Sequence, residues 1–459
     1  MSTIVTILLG ICSVGLVTYL LLKKADIKVA MLGIGILLLY IASLTGIPVI
    51  KEPVNAFIDP LTSVVNQFKS TLSGAGLVIL ILGGYTAYMN KIGANEVTVN
   101  VLTSPLKHVK SSYFLVPVVF LLGNLLSLVI PSASNLAIIL LATLYPVLVK
   151  SKMSPLTAAA VIATTATVMP TPLGSDNVAI AQELGIPVAE YVFNYHAIIS
   201  VPTLLVMALA HYLWQKYCDR SIQFSEIDYV LDSSVDESKK MFTGFTKFVY
   251  ACLPLLPILI MLVIFGVNSL LGTNLKVSVE IVAIISFVIA IICELLRTKN
   301  VKETFDNVDF FFKGMGNSMG IVILLIAASV FVSGLKGIGI ISVLQKSMEN
   351  TSASGILLPL ILVIFTAIIV LLSGSGTALF FAMVPLMVPL ATAAHISPYA
   401  VTVPMGLAGN LLRAVSPVAA VVMIVAGSTK QEPLDIVKRT SVPMIVGVVF
   451  MLIMSFILF

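Results

Sequence analysis

The sequence predicts an all-α polytopic membrane protein that is built from two related halves. Its composition is the first observation: of 459 residues, 59% are hydrophobic and only 10% are charged, whereas soluble domains have about 25% charged residues. The second observation is a series of apolar runs that are long enough to cross a bilayer. The third is that polar interruptions recur at matching places in both halves, which is typical of repeats in secondary transporters.

Eight apolar runs reach the length of about 20 residues that a membrane-spanning helix needs. They are residues 2–22, 28–49, 72–90, 194–214, 248–271, 277–296, 316–333 and 438–458. The first run has no basic residue ahead of it and no cleavage site after it, so we expect residues 1–50 to be retained as scaffold helices. The net charge of +5 comes from Lys and Arg in short loops, which membrane orientation explains without nucleic acid.

A polar segment, residues 215–247, is predicted to be a linker between two repeats, residues 51–214 and 248–459. The stretch Ser73–Leu82 resembles Asn317–Ile326 in the other half. Chance similarity between apolar segments is the alternative explanation. Repeats of this kind often have opposite orientations in the membrane, so we expect two inverted repeats.

Each predicted repeat contains a polar amphipathic segment that is too polar to span, residues 53–69 and 302–313. We expect these segments to form interfacial or connecting helices. They precede the apolar stretches that resemble each other, so they support the division into repeats.

Each predicted repeat also contains a long apolar segment that small polar residues interrupt. The first segment, residues 113–149, is broken at Pro131–Asn135 and leaves arms of about 15 residues. The second, residues 355–394, is broken at Ser373–Thr377. Arms this short favour re-entrant helical hairpins over pairs of spanning helices.

A broken transmembrane helix is predicted after each hairpin. The first, residues 155–190, is interrupted at Thr171–Asn177, and the second, residues 398–427, is interrupted at Asn410–Pro417. Unwound backbone in a membrane is tolerated only where protein buries it or where it lines a watery cavity.

The four interruptions occur at matching positions, since Ser132 and Ser373 lie 241 residues apart, as do Ser175 and Ser416. They therefore predict one polar site, although any single hydroxyl could instead serve helix packing. The predicted substrate-binding residues are Ser132, Ser134, Asn135, Ser373, Ser375, Thr377, Asn410, Arg413 and Ser416.

Two charged residues lie in the predicted site, where an unpaired charge costs about 2.5–3.5 kcal/mol or more. Arg413 is a candidate clamp for a carboxylate, the alternatives being an ion pair with Asp176 or an interfacial position. Helix amino-termini add about half a positive charge each, so the site suits a small organic dianion.

An ionised Asp176 would oppose this field, so we expect it to be protonated or bound to a cation when substrate is loaded. This hypothesis couples transport to protons or sodium, and a helix cap is the alternative role. The predicted coupling-ion residues are Thr171, Ser175, Asp176 and Asn177. No cofactor, metal centre or catalytic residue is predicted, because the sequence contains no phosphate-loop pattern and no cluster of metal ligands.

Several ungapped strings resemble the DcuC family of bacterial four-carbon dicarboxylate carriers, in the ion-transporter superfamily, over nearly the whole chain. They are Gly84–Asn95, Leu141–Pro146, Ala210–Tyr217, Asn410–Pro417 and Val437–Pro443. The resemblance implies exchange or efflux of succinate, fumarate and malate across the inner membrane in anaerobic metabolism. It also implies an elevator mechanism, in which a transport domain moves against a scaffold.

The expected partners are the dianion, membrane lipid and a second copy of the chain in a homodimer. Two other functions stay open, a carrier for another carboxylate or an amino acid, and a passive anion channel.

Overall fold

Helices form the regular structure throughout the residues that the computed structural model describes, which are 3–23, 25–108, 112–168, 170–220, 242, 244–273, 275, 277–340, 342–343 and 354–459. The helices of the first half are α1 (Thr3–Leu22), α2 (Ile27–Leu44), α3 (Asp59–Thr71), α4 (Leu77–Lys91), α5 (Ala94–Thr103), α6 (Ser112–Ser127), α7 (Ala133–Thr143), α8 (Tyr145–Lys150), α9 (Pro155–Ala163), α10 (Ser175–Leu184), α11 (Val188–Tyr191) and α12 (Ala197–Asp219). Those of the second half are α13 (Gly244–Cys252), α14 (Leu256–Leu271), α15 (Val279–Thr298), α16 (Val301–Gly337), α17 (Ser354–Ser373), α18 (Gly376–Ala393), α19 (Tyr399–Arg413), α20 (Ala420–Thr429) and α21 (Pro433–Leu458).

Ten helical stretches within the described residues are long and apolar enough to cross a membrane. Eight coincide with the predicted apolar runs, and the other two are the arms of the second predicted hairpin, Ile356–Ser373 and Gly376–Ala393. Large apolar side chains such as Leu209, Ile292 and Ile453 stay exposed on their surfaces. An apolar surface of this extent is expected where a protein contacts lipid.

The helix α16 is the central element of one side of the molecule, because it packs along both α2 and α4. Glycines allow this close approach: a Cβ on Gly35 would lie 2.7 Å from the Phe331 backbone, and one on Gly84 would lie 2.8 Å from Phe311 O. Small residues at such crossings let helix backbones approach closely in membranes. The three helices therefore form one closely packed group.

The prediction of a separate connecting helix at residues 302–313 is wrong, because this segment is the beginning of the 37-residue helix α16. The side chain of Asn300 caps that helix by accepting a hydrogen bond from Glu303 N. No proline interrupts the helix after this cap, so it continues into the membrane span. The segment 53–69 differs, since α3 begins at Asp59 and a π turn, Leu72–Gly76, connects it to α4.

The two interrupted apolar segments have arms of different length. In the first, α6 has 16 residues and α7 has 11, whereas in the second α17 has 20 and α18 has 18. Ser132 caps α7 by accepting a hydrogen bond from Asn135 N at 3.4 Å. The turn before α7 is therefore held by the hydroxyl that the sequence places there.

The two later breaks begin at other residues than predicted. Helix α9 ends at Ala163 and α10 begins at Ser175, so the chain is already unwound from Thr164. Threonine hydroxyls here bond to carbonyls of the preceding turn, and Pro170 and Pro172 disfavour helical conformation in the residues before them.

In the second half, helix α19 continues to Arg413, and the break covers only the residues before α20 begins at Ala420. The prediction that Asn410 and Arg413 lie in unwound chain is therefore wrong. Both residues are compatible with a helix, and the break forms where Pro417 disfavours helical conformation at Ser416.

The predicted linker, residues 215–247, is shorter than expected at both ends, since α12 extends to Asp219 and α13 begins at Gly244. Residues 221–241 and 243 of this segment lie outside the described residues.

A buried ion pair joins three helices at the end of α12. Arg439 Nη1 of α21 donates to Asp219 Oδ1 at 2.6 Å, and both side chains are almost completely buried. Ser154 and Thr157, at the start of α9, also donate to this carboxylate. The first broken helix is therefore anchored at one end.

Candidate functional site

A cavity of about 710 Å³, lined by polar and apolar residues, lies between α4 and α16 on one side and the interrupted helices on the other. Its volume is within the range of small-molecule sites. Nine of the thirteen predicted site residues line it: Ser132, Ser134, Asn135, Ser175, Asp176, Ser375, Thr377, Asn410 and Arg413. The fold thus brings together residues from all four predicted interruptions.

Four helices begin at this cavity. The first residues of α7, α10, α18 and α20 are Ala133, Ser175, Gly376 and Ala420, and all four line it. The first four N–H groups of a helix have no partner within the helix, and each amino-terminus carries about half a positive charge. The four amino-termini therefore give the cavity a positive field, with Asn135 N of α7 and Asn177 N of α10 already donating to side chains.

Two glycines allow the turn between α17 and α18 to lie directly against the chain before α20 and against helix α19. Gly374 has a positive φ of 73°, and a Cβ there would lie 2.6 Å from Val418 O. A Cβ on Gly376 would lie 2.5 Å from Gly409 O of α19. Because the contacted atoms are backbone, a larger residue at either position would displace the tip.

Asp176 connects the two broken helices. It lies half-buried in the first turn of α10, where an acidic side chain interacts favourably with the helix dipole. Its Oδ1 accepts from Asn177 N at 3.0 Å, and its Oδ2 accepts from Asn410 Nδ2 at 3.1 Å. The carboxylate therefore still has acceptor capacity toward the cavity.

Arg413, at the end of α19, is the basic side chain of the cavity wall. Its Nη2 donates to Ala166 O of the first unwound segment at 2.6 Å. Over the part of the chain that the structure describes, it forms no ion pair with Asp176. A guanidinium has five N–H donors, so most of them remain for a ligand.

The other four predicted site residues do not line the cavity, and their side chains bond to nearby backbone. Ser373 Oγ donates to Ser375 O at 3.3 Å, Ser416 Oγ to Leu371 O at 3.1 Å, Thr171 Oγ1 to Leu128 O at 3.4 Å, and Asn177 Nδ2 to Thr171 O at 2.9 Å. These side chains satisfy the unwound backbone next to the cavity.

Four lining residues with polar side chains on these two helices were absent from the predicted set: Thr86 and Asn90 of α4, and Asn317 and Ser318 of α16. A polar residue inside an apolar span is itself a sign of a functional position. Asn317 is such a residue, but the prediction used the stretch Asn317–Ile326 only as evidence for the repeats. These four side chains therefore add polar groups to the part of the cavity wall that α4 and α16 form.

The ten candidate spans among the described residues, together with a cavity lined by polar residues from the interrupted helices, define a multi-pass membrane protein of the transporter class. The profile of the DcuC family, described as C4-dicarboxylate anaerobic carrier, matches residues 2–459. The chain belongs to the DcuC family, and it is a multi-pass inner-membrane transporter rather than an enzyme.

Two relatives are similar along nearly their whole length. The anaerobic C4-dicarboxylate transporter DcuC of Escherichia coli K12 is 33% identical over 459 residues, which cover 99% of this chain and 96% of the relative. The probable anaerobic C4-dicarboxylate transporter DcuC of Vibrio cholerae is 34% identical over 457 residues, covering 98% and 97%.

Two solved structures share the fold. Neisseria gonorrhoeae MtrF, described as illuminating a class of antimetabolite efflux pumps, has a TM-score of 0.67 at 16% identity and covers 93% of this chain and 94% of its own. The Alcanivorax borkumensis YdaH transporter, described as having an unusual topology, has a TM-score of 0.65 at 15% identity and covers 94% and 97%.

Proposed function

We propose that this chain transports C4-dicarboxylates such as succinate, fumarate and malate across the inner membrane by alternating access. The convergence of four helix amino-termini and Arg413 on one cavity carries this proposal. Backbone N–H groups at helix amino-termini bind anions, and a guanidinium can bind a carboxylate through two parallel hydrogen bonds. The polar side chains of α4 and α16 supply donors for the second carboxylate.

An elevator movement of two inverted repeats is the proposed mechanism. The interrupted helices supply one wall of the cavity, and α4 and α16 supply the other. In this proposal the hairpins α6–α7 and α17–α18 are re-entrant and move with the broken helices, while α2, α4 and α16 stay fixed. The offset of 241 residues between corresponding serines supports the repeats.

Coupling to a cation is proposed to depend on Asp176. An ionised carboxylate weakens the positive field that the dianion needs, whereas a proton or a sodium ion at Asp176 restores it. Binding of the cation and of the dianion then favour each other, which is the thermodynamic requirement for symport. Exchange of one dicarboxylate for another needs no net movement of this cation.

Counterflow in proteoliposomes tests the function. Labelled external succinate should accumulate transiently when unlabelled succinate is trapped inside, because a carrier exchanges the two. Arg413→Ala should remove most of this uptake at low external succinate and regain part of it at high concentration, because it removes a binding group, whereas Arg220→Ala, at an exposed position after α12, should retain it throughout. Uptake without acceleration by trapped succinate would instead indicate a passive anion channel.

Competition identifies the substrate class. Excess unlabelled fumarate or malate should suppress labelled succinate uptake, whereas monocarboxylates and amino acids should compete poorly. Strong competition by a monocarboxylate would favour a carrier for another carboxylate. Cross-linking of the protein in native membranes tests the proposed homodimer separately.

A further inference from the structure

The first unwound segment is held in place by one buried side chain, Asn124 of α6, which is only 1% exposed. Its Oδ1 accepts from Thr167 N at 3.0 Å and from Val168 N at 3.1 Å. Its Nδ2 donates to Thr164 O at 3.2 Å and to Phe120 O at 3.0 Å. A single amide thus replaces the helical partners that this segment lost when α9 ended.

The same segment holds Arg413. Between the residues that Asn124 binds lies Ala166, whose carbonyl accepts the hydrogen bond from Arg413 Nη2 at 2.6 Å. The carbonyl can point at the guanidinium only while the backbone on both sides stays in its present conformation. Asn124 fixes that backbone through the N–H groups of Thr167 and Val168, directly after Ala166.

We propose that Asn124 is the positioning residue of the anion site: through the backbone of residues 164–168 it aims the guanidinium of Arg413 into the cavity. This inference rests on the proposed function of the cavity as an anion site. In this proposal Asn124 of the first hairpin acts through residues 164–168 of the first broken helix on Arg413 of the second broken helix. Asn124 itself does not line the cavity.

Packing leaves the segment little room to find another position. A Cβ on Gly123, the neighbour of Asn124, would overlap the side chain of Thr165. On the other side, Thr164 Oγ1 is hydrogen-bonded to the buried His211 Nε2 at 3.2 Å. Loss of the Asn124 amide would leave the N–H groups of Thr167 and Val168 without this acceptor. The cost of unpaired buried donors then favours movement of the segment.

A double-mutant cycle tests the proposal. The variants are Asn124→Ala, Arg413→Ala and the double variant, and the measured quantity is the half-saturating succinate concentration in counterflow. In the wild-type background Asn124→Ala should raise it about tenfold. In the Arg413→Ala background the same change should raise it by less than about twofold, because residues that act through one another are non-additive.

Asn307→Ala is the matched control. Asn307 is also a buried asparagine with a side-chain hydrogen bond, to Glu294 Oε1 at 3.4 Å, but it lies away from the cavity. Its effect should be the same factor in both backgrounds. Equal factors for Asn124→Ala in the two backgrounds would overturn the proposal, since a purely structural role gives that result.

Gly123→Ala provides a second route if Asn124→Ala does not fold. It displaces the same segment from its packed face without removing the amide, so it should show the same non-additivity with Arg413→Ala. Hydrogen exchange of the peptide over residues 164–168 gives a readout that needs no substrate. Asn124→Ala and Arg413→Ala should each accelerate this exchange, and no acceleration by Asn124→Ala would refute the inference even if succinate were the wrong substrate.

Discussion

Replacing Gly376 by alanine should weaken substrate binding without removing any polar group. The new Cβ would lie 2.5 Å from Gly409 O and 2.8 Å from the Gly409 carbonyl carbon. Neither atom can rotate away, so the tip of the second hairpin or helix α19 must move. Overpacking of this kind costs about 1–3 kcal/mol.

If that cost falls on the substrate-loaded conformation, the half-saturating succinate concentration rises about 5- to 150-fold. Counterflow over a range of succinate concentrations measures this value. Gly427→Ala is the matched control, because a Cβ at Gly427 of α20 would meet nothing within 4 Å. Half-saturation at the wild-type concentration in Gly376→Ala would show that the contact between hairpin tip and helix does not shape the site.

Three further predictions concern single side chains. Asp176→Asn should abolish the sodium or pH dependence of succinate uptake, and unchanged dependence on both would exclude Asp176 as the coupling group. Asn317→Ala should weaken succinate binding by about 2- to 10-fold, the value of one lost neutral hydrogen bond, with monocarboxylate binding much less affected; equal losses for both would argue against a second carboxylate at α16. Arg439→Ala should lower the free energy of unfolding by about 3–5 kcal/mol, because it leaves the buried Asp219 carboxylate unpaired; thermal denaturation in detergent measures this, and an unchanged melting temperature would contradict it.

The spans could be predicted from the sequence because burial in lipid requires long apolar runs, and that requirement is local. The polar interruptions were equally visible, since proline, glycine and hydroxyl residues have local conformational effects. The helix ends were less predictable. Arg413 stays helical because Pro417, rather than the polar composition around Asn410, determines where α19 ends.

The site was predictable where its residues lie in the interruptions or, like Asn410 and Arg413, in the last turn or so of the helix before one. The contribution of α4 and α16 depends on which faces of two long helices meet the cavity, and this is a property of tertiary packing. Asn124 carried the same general sign as Asn317, a polar residue in an apolar span, but nothing local distinguishes an asparagine that binds distant backbone from one that packs between helices. Its role depends on residues 164–168, which tertiary packing places beside it.

Four helix amino-termini, each with about half a positive charge, add up to more than the single charge of Arg413 at this cavity, and this has a consequence for mutagenesis. Ser134→Ala removes one neutral hydroxyl from the cavity wall, so it should cost about 0.5–1.5 kcal/mol, or roughly 2- to 10-fold in succinate affinity. Substitutions that move a helix amino-terminus, such as Gly376→Ala, should cost as much or more although they delete nothing. Measuring both variants in the same counterflow assay compares the two contributions directly. A much larger loss for Ser134→Ala would mean that side-chain hydroxyls, and not the helix termini, bind the anion.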